Sequence, residues 1–121
     1  MVPADHDHPI HPEGVAQARA HVLTPADGGR VADLLRLLGD PVRARIVSAL
    51  DTAGELCVGD LALALDVTDS TVSHALRLLR TAGIVANRRE GRVIHYRLAD
   101  ARAARILQVA AAVDEGPAGG G

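Results

Sequence analysis

Between Ser70 and Leu98 the chain gathers side chains suited to the edges and backbone of duplex DNA. Ser70, Thr71, Ser73, His74, Arg77 and Arg80 can each hydrogen-bond a base edge or a phosphate oxygen. Interleaved with them, Val72, Leu76 and Leu79 recur at i, i+4 and i+7, the spacing of one helix face. A helix with this pattern buries the apolar row and presents the polar one. Recognition helices read bases with their first turns, which singles out Ser70, Thr71, Ser73, His74 and Arg77. Downstream, Arg88, Arg89 and Arg92 crowd around Glu90-Gly91, where a hairpin tip would carry them to a phosphate backbone or a minor groove. A second, smaller group is Cys57 and Asp60: three apart on a helix, they share a face and could share an ion.

These residues need elements to hold them. A short helix over about 58–65, the polar turn Asp66-Val67-Thr68-Asp69, and a longer helix with Asp69 or Ser70 as cap form a helix-turn-helix over about 58–82. A wing follows over about 84–98, with its turn at Glu90-Gly91. Ile94, Tyr96 and Leu98 form its buried face, and His95 points outward as a surface residue. Upstream, His11-Pro12-Glu13 opens a helix to about Leu23. Thr24-Pro25 and Asp27 start another that reaches Leu38, with Val31, Leu34, Leu35 and Leu38 as its apolar stripe. Gly39 ends it, and Asp40-Pro41 restarts the chain for a helix over 42–50. Asp100 caps a last helix over about 100–114, apolar at Ala103, Ile106, Leu107, Ala110 and Val113. The expected fold is mostly α with a small β-hairpin, a winged helix-turn-helix. Residues 1–11 form a flexible His-rich arm, 12–114 the domain and 115–121 a disordered tail.

Charge and composition narrow the function. The whole chain carries −2, yet Ser70 to Leu98 holds six arginines against Glu90, a local +5 that leaves −7 elsewhere. That is a focused phosphate-binding face on an acidic body. All thirteen basic residues are Arg. With no Phe or Trp and one Tyr, the core of this 121-residue chain must be aliphatic and small. The first and last helices carry more apolar surface than a monomer of this size covers. A homodimer through the N- and C-terminal helices follows, with two recognition helices about one DNA turn (~34 Å) apart on an inverted-repeat operator. One Cys excludes an internal disulfide framework and suits a reducing cytoplasm. No apolar run approaches the ~20 residues of a membrane span, so no membrane partner is expected. No paired carboxylates, phosphate loop or nucleophile elbow mark an enzyme.

The runs Leu37-Leu38-Gly39-Asp40-Pro41-Val42-Arg43-Ala44-Arg45-Ile46, Glu55-Leu56-Cys57-Val58-Gly59-Asp60-Leu61-Ala62, Ser73-His74-Ala75-Leu76-Arg77 and Arg89-Glu90-Gly91-Arg92 resemble the ArsR/SmtB family over roughly residues 25–112. The resemblance implies a winged-helix, homodimeric bacterial repressor of the cytoplasm and nucleoid that leaves its operator when a metal ion binds. It also implies a ligand set. In the family's zinc sensors the Cys and Asp of this run join ligands from the N-terminal arm, which here offers His6, His8 and His11. Cys57, Asp60, His6 and His8 would make a tetrahedral set suited to Zn²⁺, and Ni²⁺ or Co²⁺ fit the same donors. The alternative is a repressor of the same family without metal input, answering to a small molecule or to oxidation of Cys57. Where arsenic and cadmium/lead sensors have a second Cys, this chain has Gly59. At the family's other zinc site Asp100 matches, but Arg102, Val113 and Gly116 replace the remaining ligands, so that site is expected to be absent.

Overall fold

The computed structural model describes residues 8–115. In chain order they form α1 (Pro12–His21), α2 (Pro25–Leu38), α3 (Pro41–Ala53), β1 (Glu55–Cys57), α4 (Val58–Leu65), α5 (Asp69–Thr81), β2 (Val85–Glu90), β3 (Val93–Leu98) and α6 (Ala101–Glu115). The chain divides into two compact units, Met1–Ala32 and Asp33–Gly121. In the first, Pro12 begins α1, where its missing N–H removes no helical bond, and no residue of α1 is buried. The start of α2 is set by Thr24, whose Oγ1 accepts from the Asp27 N–H at 3.1 Å.

In the second unit each helix end has a local cause. Asp40 caps α3 by accepting from the Arg43 N–H at 3.0 Å, with Pro41 following as first helical residue. The helix outruns its expected end at residue 50 and continues to Ala53, where Gly54 stops it at φ 89°. The cap of α5 is Thr68, not Asp69 or Ser70: its Oγ1 accepts from the Thr71 N–H at 3.1 Å. Asp69 becomes the first helical residue, its charge against the positive end of the helix dipole. Asp66 ends α4 at φ 57°, a left-handed conformation that Asp tolerates and a β-branched residue does not. Asp66→Val should therefore cost about 1–2 kcal/mol in urea unfolding, and an unchanged midpoint would contradict this.

The expected hairpin is joined by a third strand. The sheet order is β1-β3-β2, antiparallel throughout, with Glu55, Leu56 and Cys57 opposite Arg97, Tyr96 and His95. Three residues are too few to display a period of two, so β1 was not legible in the sequence. Glu90 pairs with Val93, so the two-residue loop is Gly91-Arg92, one position later than Glu90-Gly91. Gly91, at φ 64°, takes the first loop position, the sign pattern of a type II′ turn.

The core is wholly aliphatic: Ile46, Val47 and Leu50 of α3, Leu61 and Leu65 of α4, Val72, Leu76 and Leu79 of α5, and Ile84 and Val85 at the wing's root. Among the described residues no polar or charged side chain is buried. From α2, Leu34, Leu37 and Leu38 reach this core, whereas Val31 and Leu35 of the expected stripe are exposed. From the sheet, Leu56, Tyr96 and Leu98 pack on it. Ile94 belongs to the same face but is 37 % exposed, one residue from the pair that closes the hairpin. Ala103 and Ala104 seat α6, Ile106 and Leu107 are half-buried, and Val109 is 66 % exposed.

Candidate nucleic-acid interface

On α5 the inward row is Val72, Ala75, Leu76 and Leu79, all buried. That leaves Ser70, Thr71, Ser73, His74, Arg77 and Arg80 exposed on the rest of the helix. Helix α4, the turn over 66–68 and α5 make the helix-turn-helix, with α5 held from behind by α3, α4 and β2. The Thr71 hydroxyl lies 2.8 Å from that of Thr68, so one of its bonds is already made within the turn. Among the described residues Arg77, Arg80, Arg89 and Arg92 have no carboxylate partner and present free guanidinium groups.

Arg88 is different. Its Nε donates to both Glu55 oxygens at 3.1 and 3.0 Å, and NH2 donates to Oε1 at 2.7 Å. Its Nη1 lies 3.7 Å from Glu90 Oε2. The hydrogen bond from Arg88 holds Glu55 below the usual carboxylate range and holds Arg88 firmly charged. Arg88 and Arg89 are neighbours on a strand and so face opposite sides of the sheet. His95 sits opposite both Cys57 and Arg88. It is not the open surface residue expected: its side chain is 23 % exposed and Nε2 lies 3.4 Å from Glu90 Oε1 without a hydrogen bond.

The candidate ion-binding pair also moves. Cys57 is the last residue of β1 and the N-cap of α4, not a residue within the helix. Asp60, at the third helical position, accepts from the Cys57 N–H at 3.4 Å in a capping box. Cys57 is half-buried and Asp60 exposed, so a thiol and a carboxylate stand together at the joint between the sheet and the helix-turn-helix. Gly59 between them has open space where a Cβ would stand, so no steric demand keeps a second cysteine out. His8 and His11 are exposed residues of the first unit, while His6 lies outside the described residues. Among the described residues no three His, Cys, Asp or Glu side chains converge tightly enough to enclose an ion. A complete site therefore needs donors beyond Cys57 and Asp60. At the other candidate position, Arg102 donates through Nε and NH2 to the two oxygens of Asp100 at 3.0 and 2.7 Å, and lowers the pKa of that carboxyl. An arginine fork thus occupies the one matching ligand.

A model of the arsR family of bacterial regulatory proteins matches residues 40–87, from the cap of α3 into β2. A transcriptional repressor SmtB homolog of Synechocystis sp. is 44 % identical over 91 residues, spanning 75 % of this chain and 68 % of the relative. A cadmium resistance transcriptional regulatory protein CadC homolog of Staphylococcus aureus is 35 % identical over 103 residues, spanning 84 % and 83 %. Among solved structures, the antimony-specific transcriptional repressor AntR superposes with a TM-score of 0.74 at 35 % identity, covering 78 % of this chain and 86 % of its own. All three are transcription regulators rather than enzymes, and no helix among the described residues is long and apolar enough to cross a membrane.

Proposed function

The chain belongs to the ArsR family of bacterial regulatory proteins, DNA-binding winged-helix transcription regulators, and from that premise we propose that it is a homodimeric repressor released from its operator by a divalent metal ion, foremost zinc. In this reading Ser70, Thr71, Ser73, His74 and Arg77 meet base edges and phosphates, and Arg88, Arg89 and Arg92 give the wing its positive charge beside the backbone. The exposed apolar positions at the terminal helices, Val15 on α1, Val22 at its C-cap and Val109 on α6, are surface that a second copy would cover. The work is done in the bacterial cytoplasm, on nucleoid DNA.

The observation that carries the metal part is the placement of Cys57 and Asp60 together at the junction of β1 and α4. Both donors belong to elements that position α5 and the wing. His6 and His8 of the arm would complete the set. One thiolate, one carboxylate and two imidazoles suit zinc, with nickel and cobalt as competitors. Cadmium and antimony, named for two relatives, favour more sulfur than this chain's single thiol offers. Bound zinc supplies a charge and a tetrahedral preference. Cys57 would hold the ion as its thiolate, the proton passing to solvent, with the Asp60 carboxylate beside it at the joint between β1 and α4. A 100-fold weakening of operator binding needs about 2.7 kcal/mol of coupling.

The test is fluorescence anisotropy with the protein's own promoter region at fixed salt, since phosphate contacts make affinity steeply salt-dependent. The metal-free protein should bind, zinc should release it, and a chelator should restore binding. Tight binding indifferent to zinc, nickel and cobalt would discard the metal input and leave the DNA role standing.

A further inference from the structure

Arg88 is one of three arginines the hairpin carries near its tip, yet its surroundings set it apart from Arg89 and Arg92. Its fork is closed on Glu55 by three hydrogen bonds of 2.7 to 3.1 Å, and its remaining nitrogen is turned to Glu90. Glu55 is on β1 and Arg88 on β2, the two strands that flank β3. Their side chains therefore reach across the central strand, over His95 and Arg97, the residues paired with Arg88 and Glu55. β1 is three residues long and has no other strand partner, so little besides this pair ties it to the far edge of the sheet. A fork-on-carboxylate pair fixes direction as well as distance. The side chains are 47 % and 29 % exposed, leaving the pair partly shielded from water.

We propose that Glu55 is a positioning residue for DNA binding: it takes Arg88 out of the phosphate-contacting set and uses it to set the angle of the wing, so that of the three arginines near the wing's tip only Arg89 and Arg92 meet the backbone. The Nε edge of Arg88 is committed to Glu55 and its remaining nitrogen lies 3.7 Å from Glu90 Oε2, so two carboxylates compete with any phosphate for it, whereas Arg89 and Arg92 have no carboxylate partner among the described residues. The clasp also ends two residues before Cys57, so the strand that carries the thiol is the strand it anchors.

This inference rests on the DNA-binding reading of α5 and the wing, and metal-free protein tests it. Operator affinity is measured by anisotropy across a salt series for the wild type, Glu55→Gln, Arg88→Gln, the double variant and Arg92→Gln. Removing a phosphate contact lowers the slope of log K against log salt by about 0.9, and Arg92→Gln should do so. Glu55→Gln and Arg88→Gln should each weaken binding about five-fold, the double variant no further, all with the wild-type slope. Hydrogen exchange in the free protein gives an independent readout: the amides of the β1–β3 ladder should exchange faster in Glu55→Gln. A slope lowered by about 0.9 in Arg88→Gln, or tighter binding by Glu55→Gln, would overturn the proposal. So would additive losses in the double variant. Failure of the wild type to bind the operator at all would remove the DNA reading itself, and the inference with it.

Discussion

Leu79→Ala should lower the free energy of unfolding by about 3–4 kcal/mol, read as a shift of the urea midpoint. Leu79 is fully buried on the inward face of α5, in a cluster that joins α3, α4, α5 and the root of the wing. Removing three carbons there costs their transfer out of water and leaves a cavity lined by Leu, Ile and Val side chains. These are already packed against one another and refill such a gap only in part. A domain of this size has only about 5–15 kcal/mol of stability in total, so the variant should be partly unfolded on mild warming. Leu63→Ala is the matched control on the neighbouring helix: that residue is 84 % exposed, and its change should fall within about 0.5 kcal/mol. Equal effects from the two would contradict the packing described here.

Cys57→Ser should abolish zinc-driven release, reducing a response of about 100-fold to within about two-fold. Serine is the informative replacement because it caps helices well: it can hold the start of α4 while removing the thiolate. Operator binding by the metal-free variant should stay close to wild type, and chelator competition should show zinc held far less tightly. Asp60→Asn separates the other half of the site. An amide oxygen can still accept from the Cys57 N–H at the capping position, but the charge available to a metal ion is gone. Full release of Cys57→Ser by zinc would sink the assignment of this thiol. Loss of operator binding in metal-free Cys57→Ser would show that the residue acts through the fold.

Most of the exposed polar face of α5 could be read from residue order. The apolar row of α5 has a helical period, so its solvent side follows without knowledge of any partner element. The residues nominated there, Ser70, Thr71, Ser73, His74 and Arg77, are all exposed. Proline and aspartate at the starts of α2 and α3 act within one turn of chain, and those helices begin where Thr24 and Asp40 indicate. The cap of α5 lies one to two residues before the expected Asp69 or Ser70 because the turn 66–70 holds four side chains able to cap, and only the backbone path selects Thr68.

What the sequence by itself determined is therefore local: helix periods, most helix starts, the wing, the aliphatic make-up of the core and the concentration of positive charge in one segment. Tertiary structure decided what depends on distant partners. β1 exists because β3 offers it a ladder 40 residues downstream, a pairing that three residues cannot announce. That strand moves Cys57 from the body of a helix to its cap, and brings Glu55 to Arg88 across 33 positions. Three arginines that look equivalent in the sequence are thereby divided, one closed on a carboxylate and two open to solvent, because alternation along a strand sends neighbours to opposite faces and only the folded sheet shows what waits on each.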